Sequence, residues 1–124
     1  MIRRIEVLLG RQVLIAYEGD ERVFEFDCAT GDRDHPTDPG YFRILRKHRT
    51  YTSVKYKVPM DYALFFTRDG KAIHKGYMVG PVSYLKFGGF ESFGSHGCVR
   101  LADNDARTLF DWAAVGTSVE VRRA

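Results

Sequence analysis

Ser95–His96–Gly97–Cys98–Val99–Arg100–Leu101 is the stretch on which the fold and chemistry of this chain turn. It holds one of the two cysteines and sets a histidine two residues before it, with a glycine between them. A glycine-rich aromatic run (residues 84–94) precedes it, and a helical pattern follows closely, so the thiol is expected at a loop-to-helix junction. There, helix-terminal amides and the helix dipole favour the thiolate, the reactive form of cysteine. The same amides can donate hydrogen bonds to an oxyanion. Gly97 allows backbone geometry that a side chain would obstruct.

Towards the C-terminus the pattern predicts a helix over residues 103–115. Asp103 is suited to the N-cap and Asp105 to the negative first turn. Ala106, Leu109, Phe110 and Ala113 recur at helical spacing and form one apolar face. Gly116 suits the position just past the helix, Trp112 falls at the edge of the stripe, and residues 117–122 read as a closing strand with Val119 and Val121 on one face.

Towards the N-terminus, residues 62–67 form a dense apolar strand. Arg68, Asp69, Gly70 and Lys71 make a hairpin turn, and Ala72, Ile73 and His74 begin the return strand. Residues 46–51, with Arg46, Lys47, His48 and Arg49, read as a solvated basic turn or, functionally, as a rim that attracts anionic substrate groups, and residues 54–58 as a short strand ended by Pro59. Residues 30–40 form a loop with two prolines and a solvated His35. Its Pro39–Gly40 turn feeds a strand over 41–45. The first third alternates as three strands, 2–9, 12–17 and 22–29, with a tight turn at 18–20. Cys28 shares a face with Phe24 and Phe26 and reads as a small core residue.

A chain of 124 residues suits one domain, and 44% hydrophobic with 28% charged residues is ordinary globular composition. Twelve glycines and an aromatic share of 14% favour a β-rich fold with many turns. No apolar run approaches the ~20 residues needed to cross a bilayer. The N-terminal residues carry charge without an apolar stretch fit for a signal peptide. That leaves three routes: residence in the cytoplasm, an export signal outside this sequence, or export by another path. The net charge of +3 is spread along the chain, unlike the clustered basic footprint of a nucleic-acid binder. Two cysteines do not make a disulfide scaffold, and both are expected as free thiols.

The motif Ser95–His96–Gly97–Cys98–Val99–Arg100–Leu101, with Ile73–His74 after a glycine turn upstream, resembles the signature of the L,D-transpeptidase catalytic domain family, also called YkuD-like. Residues 36–42 resemble the Thr-Pro-x-Gly turn of that family, with Asp38 standing between Thr37 and Pro39. The helix followed by Gly116, Thr117, Val119 and Val121 resembles its C-terminal end. Two features depart from the pattern: Lys75 comes between His74 and Gly76, and the interval 77–94 is long.

The resemblance implies a mainly β, single-domain sandwich or barrel-like catalytic fold over residues 1–124 with one main helix. It implies acyl transfer without a cofactor or metal. Cys98 is the expected nucleophile and His74 the expected base, with His96 as the rival for that role or as a loop or substrate contact. Backbone amides at Gly97 and Cys98 would form the oxyanion hole. Ser95 would assist through its hydroxyl or carbonyl, and Arg100 either binds a substrate carboxylate or holds the loop by a salt bridge. The implied donor is a peptidoglycan stem tetrapeptide that loses its terminal D-Ala, and the acceptor is an amine. Carbapenems are implied inhibitors, and the family works in the periplasm or cell wall.

Three other readings compete. With water as acceptor, the same site is an L,D-carboxypeptidase or a delivered toxin acting on another cell's wall. A non-catalytic cell-wall binding module would not need Cys98. A metal site from Cys28, Cys98, His74 and His96 lacks the paired-cysteine spacing of structural zinc.

Overall fold

The computed structural model describes residues 2–31, 36–54, 57, 59–76 and 97–124. Three long strands come first: β1 (Arg3–Leu8), β2 (Val13–Glu18) and β3 (Glu21–Ala29). Then follow β4 (Gly40–Arg43), β5 (Arg46–His48), β6 (Ala63–Phe65), β7 (Ala72–Lys75) and β8 (Val99–Leu101). Helix α1 (Asp103–Trp112) and strand β9 (Ser118–Arg122) complete the described elements. The strands form one nine-stranded sheet in the order β4-β9-β1-β2-β3-β8-β7-β6-β5.

The sheet's two terminal strands are consecutive in the chain, and this curls it. Ile44 donates its N–H to the Thr117 carbonyl at 2.9 Å, while the next residue, Leu45, donates to the Phe65 carbonyl at 2.7 Å. The chain thus changes partner from β9 to β6 within one residue, as strands do at the corners of closed sheets. The inner face follows from alternation: Ile5 and Val7 of β1 lie in parallel register with Val119 and Val121 of β9, and all four are buried in one core. Ala106, Leu109 and Phe110 of α1 pack into the same core. The mainly β, barrel-like architecture with one main helix agrees with the expectation from sequence.

The helix differs in detail. Ala102, not Asp103, is its N-cap and makes no side-chain capping bond, while Asp103 lies in the first turn and pairs with Lys75 at 3.6 Å. It ends at Trp112 rather than 115, because Ala113 is already extended and Gly116 turns the chain at a φ of +96°. Trp112 sits at the boundary as expected, donating its indole N–H to Glu18 at 2.7 Å and meeting Phe24 edge-on.

The basic run 46–49 is not a solvated turn. Arg46, Lys47 and His48 form β5, paired antiparallel with β6. The Lys47 ammonium donates to the Phe110 and Ala113 carbonyls, both at 2.7 Å, supplying the positive charge that the last turn of α1 lacks. The Arg46 guanidinium lies 3.8 Å from the centre of the Phe65 ring. Three of the five residues of the strand expected over 54–58 lie outside the described residues; beside them, Lys57 donates its N–H to the Ser53 carbonyl at 2.8 Å with a φ of +55°, and Thr52 bridges Pro59.

Candidate active site

The β6–β7 hairpin sets the first half of the site. Gly70 takes a φ of +96° in its turn, and the Thr67 hydroxyl accepts the Lys71 N–H at 2.8 Å. Strand β7 then runs parallel to β8, with Ile73 opposite Val99 and His74 opposite Arg100. Side chains alternate across a sheet, so Ile73, Val99 and Leu101 face the helix-covered core. Ala72, His74, Cys98 and Arg100 take the opposite face, where Cys98 and Ala72 pack in a second, smaller core with Met60, Ala63 and Phe65.

Cys98 and His74 are therefore neighbours on one face. Cys98 comes just before β8 and its sulfur meets the β7 backbone at Ala72, two residues before His74, and no hydrogen bond joins that sulfur to His74 Nε2. The thiol is 4% exposed, and its sulfur accepts the Ala72 N–H at 3.3 Å. Burial pushes it up to about 11, against the opposing pull of the Ala72 N–H and of the Arg100 and Lys71 charges.

The imidazole of His74 is 2% exposed. Its Nδ1 lies 2.6 Å from the Lys75 carbonyl oxygen. A carbonyl only accepts, so this contact assigns the proton of the neutral ring to Nδ1 and leaves the lone pair on Nε2. Nε2 is buried and has no hydrogen-bond partner among the described residues. Burial drives the ring down to about 4, with the Lys75 carbonyl raising it and the Arg100 charge lowering it further.

Two sequence-based expectations change here. The thiol is not at a loop-to-helix junction: β8 intervenes before α1, and the helix packs on the opposite face of the sheet. Nor does the surrounding structure favour the thiolate, since burial penalises its charge and pushes the thiol up, as it pushes the His74 ring down. Cys28 lies in the larger core, pushed up to about 12 by burial and then by Asp27. It is across the sheet from Cys98, so the two thiols do not converge on a common metal.

Arg100 is 4% exposed, and its stem fills the space beside Gly76. A Cβ at Gly76 would come within 2.6 Å of the Arg100 Cβ. Gly76→Ala is therefore expected to cost about 1–3 kcal/mol by overpacking, read as a lower melting temperature. Melting at the wild-type temperature would mean that this contact relaxes freely.

The Gly97 carbonyl just before Cys98 is held by a residue to which the motif reading gave no role. Thr37, 4% exposed, donates its hydroxyl to the Gly97 carbonyl at 2.8 Å and accepts the Gly31 N–H at 2.9 Å. Its sequence signal was the turn motif at 36–42, which indicates a loop and says nothing of what the hydroxyl reaches. Gly97 has a φ of +96°, and a Cβ there would lie 2.7 Å from Lys71 Cε and 3.0 Å from the Pro36 oxygen. Lys71 in turn pairs with Asp38 at 3.3 Å. Ser95, His96, His35 and the aromatic run 84–94 lie outside the described residues.

A thiol and an imidazole on one face of a parallel strand pair, behind a glycine with positive φ, form a layout suited to nucleophilic catalysis. The chain belongs to the L,D-transpeptidase catalytic domain family (YkuD), whose model matches residues 2–121. Among solved structures, the L,D-transpeptidase from Stackebrandtia nassauensis is 29% identical with a TM-score of 0.83, the match covering 98% of this chain and 56% of that one. L,D-transpeptidase 1 of Mycobacterium tuberculosis is 20% identical at a TM-score of 0.79, covering 97% and 61%. The L,D-transpeptidase LdtMt1 in complex with imipenem is 24% identical at 0.78, covering 97% and 58%. The chain thus spans little more than half the length of these structures. No curated protein sequence matches it closely enough to count as a relative. No helix among the described residues is long and apolar enough to cross a membrane.

Proposed function

We propose that this domain transfers acyl groups of peptidoglycan stem peptides through a Cys98 thioester. The observation that carries the reading is the pair itself: Cys98 bonds the β7 backbone beside His74, and the lone pair of His74 sits on an Nε2 with no hydrogen-bond partner among the described residues. Membership of the L,D-transpeptidase catalytic domain family supports the substrate class.

The reaction starts from a neutral pair. The Cys98 sulfur attacks the carbonyl carbon of the bond between the L-centre of the third stem residue and the terminal D-Ala, and its proton passes to His74 Nε2. Burial works against both charges, pushing the thiol up and the imidazole down, and the proton passes to His74 as the carbon–sulfur bond forms. The carbon–nitrogen bond then breaks, His74 returns the proton to the departing amine, and D-Ala leaves. An acceptor amine attacks the thioester, gives a proton to His74, and displaces the sulfur, which takes the proton back. In this reading the Cys98 amide serves the oxyanion in both halves.

The test is intact mass after incubation with imipenem, the ligand bound in one of the similar structures, followed by peptide mapping. One drug-sized adduct on Cys98 is expected, together with D-Ala release from a stem tetrapeptide when an amine is supplied. The absence of both adduct and D-Ala release, with the protein shown to be folded, would sink the proposal. D-Ala release that ignores the amine would redirect it to an L,D-carboxypeptidase.

A further inference from the structure

Resting on that acyl-transfer reading, we propose that Thr37 is a positioning residue for catalysis: by holding the Gly97 carbonyl, it aims the Cys98 N–H at the oxyanion. The hydroxyl has a defined direction. Gly31 donates its N–H to Thr37 Oγ1 at 2.9 Å, which occupies a lone pair and leaves the hydroxyl proton for the Gly97 carbonyl at 2.8 Å. The Cys98 carbonyl is farther from Oγ1, at 3.5 Å.

The Gly97 carbonyl and the Cys98 N–H belong to one planar trans peptide unit, so they point in opposite directions. Drawing the carbonyl towards the loop at 30–37 therefore turns the Cys98 N–H away from that loop. The same residue supplies the attacking sulfur, so this amide lies close to the carbon under attack.

The surroundings restrict other orientations of the unit. Gly97 is held at a φ of +96° with the Lys71 stem and the Pro36 oxygen close against it, which limits rotation on one side. The Thr37 hydroxyl reaches the Gly97 carbonyl across 60 positions of sequence. A donor fixed before the substrate arrives costs no reorganisation when charge develops. The inference therefore concerns direction: the Thr37 hydroxyl need not touch the substrate to affect the rate.

Two reactions of the same thiol separate this role from a general structural one. Acylation by imipenem develops negative charge on a carbonyl oxygen as the sulfur adds and the ring carbon–nitrogen bond opens. Alkylation by iodoacetamide displaces iodide at a saturated carbon and develops no oxyanion. Thr37→Val, which keeps the shape and loses the hydroxyl, is expected to slow acylation of Cys98 by about 10- to 100-fold, less than the roughly 10²–10³ of a fully lost oxyanion donor. Alkylation should stay within about twofold, and Thr37→Ser should restore acylation to near wild type. If Thr37→Val does not fold, Thr37→Ala carries the same comparison, because the smaller side chain fits the same space.

Equal slowing of both reactions, or wild-type acylation without the hydroxyl, overturns the proposal. A wild-type protein that alkylates at Cys98 yet accepts no acyl group from any donor defeats the acyl-transfer reading first, and the role of Thr37 with it.

Discussion

Cys98→Ala is expected to lose acyl transfer and also some stability, whereas Cys98→Ser loses only the first. Removing a nucleophile that works as a unit with its base typically lowers turnover by roughly 10⁴-fold or more. The stability loss has a separate cause. The Cys98 sulfur accepts the buried Ala72 N–H at 3.3 Å, and alanine leaves that donor without an acceptor. An orphaned buried donor costs about 1–3 kcal/mol, and the weakness of sulfur as an acceptor puts this case near the lower end. Serine offers an oxygen to the same N–H, so its stability should stay within about 1 kcal/mol of wild type. Urea unfolding and D-Ala release from a stem tetrapeptide, measured on all three proteins, check both halves. Turnover by Cys98→Ala within tenfold of wild type would assign the chemistry to another group.

His74→Gln is the second substitution with a large expected effect. Glutamine can still donate to the Lys75 carbonyl, but it cannot take a proton from the thiol. General-base contributions of this kind are typically about 10²–10⁴-fold. The pH dependence follows from the neutral resting pair. The imidazole must be unprotonated, which fails only below about 4, and the thiol is protonated until about 11. Wild-type kcat/KM should therefore be flat across neutral pH, with its limbs far out on both sides. An acid limb near the ordinary histidine value of about 6.5 would mean that His74 works in a more hydrated state than the one described.

The same burial predicts a stability change with a definite sign. Unfolded His74 protonates near 6.5, while the folded ring resists protonation down to about 4. Between those values the unfolded state binds more protons, so stability declines as pH falls through this window and levels off below it. Above 6.5 the group has no effect. Melting curves across the window should show the decline in wild type and a smaller one in His74→Gln. Equal slopes in the two proteins would remove His74 as the cause.

The sheet and the helix were legible because they depend on local pattern. Alternation in β1 to β3, the Gly70 turn and the apolar stripe of α1 all reflect periodicity that the backbone must obey. The proposed pair, Cys98 and His74, was named from a motif, and the β7–β8 register is what brings that motif beside His74. The errors came from long-range packing. Four basic residues in a row look solvated, but Lys47 reaches the end of α1, 63 positions away in sequence, and Arg46 covers the Phe65 ring. The protonation of the site was likewise invisible. Charged neighbours can be guessed from sequence, but the burial that overrides them depends on how tightly the second core closes around Cys98. Thr37 was hidden for the same reason: a hydroxyl reveals its partner only when residues 37 and 97 meet.

The parallel pairing of β1 with β9 bears on how the domain comes off the ribosome. The first strand made finds its inner neighbour, β2, at once, but its other side waits for Val119 and Val121, made more than a hundred residues later. Until then β1 presents an open row of N–H and C=O groups, the kind of edge that recruits foreign strands. Such late, distant closure belongs to the slow end of the folding scale. The nascent β1–β3 meander is thus the species most exposed to aggregation, and synthesis of the final strand is what ends that exposure.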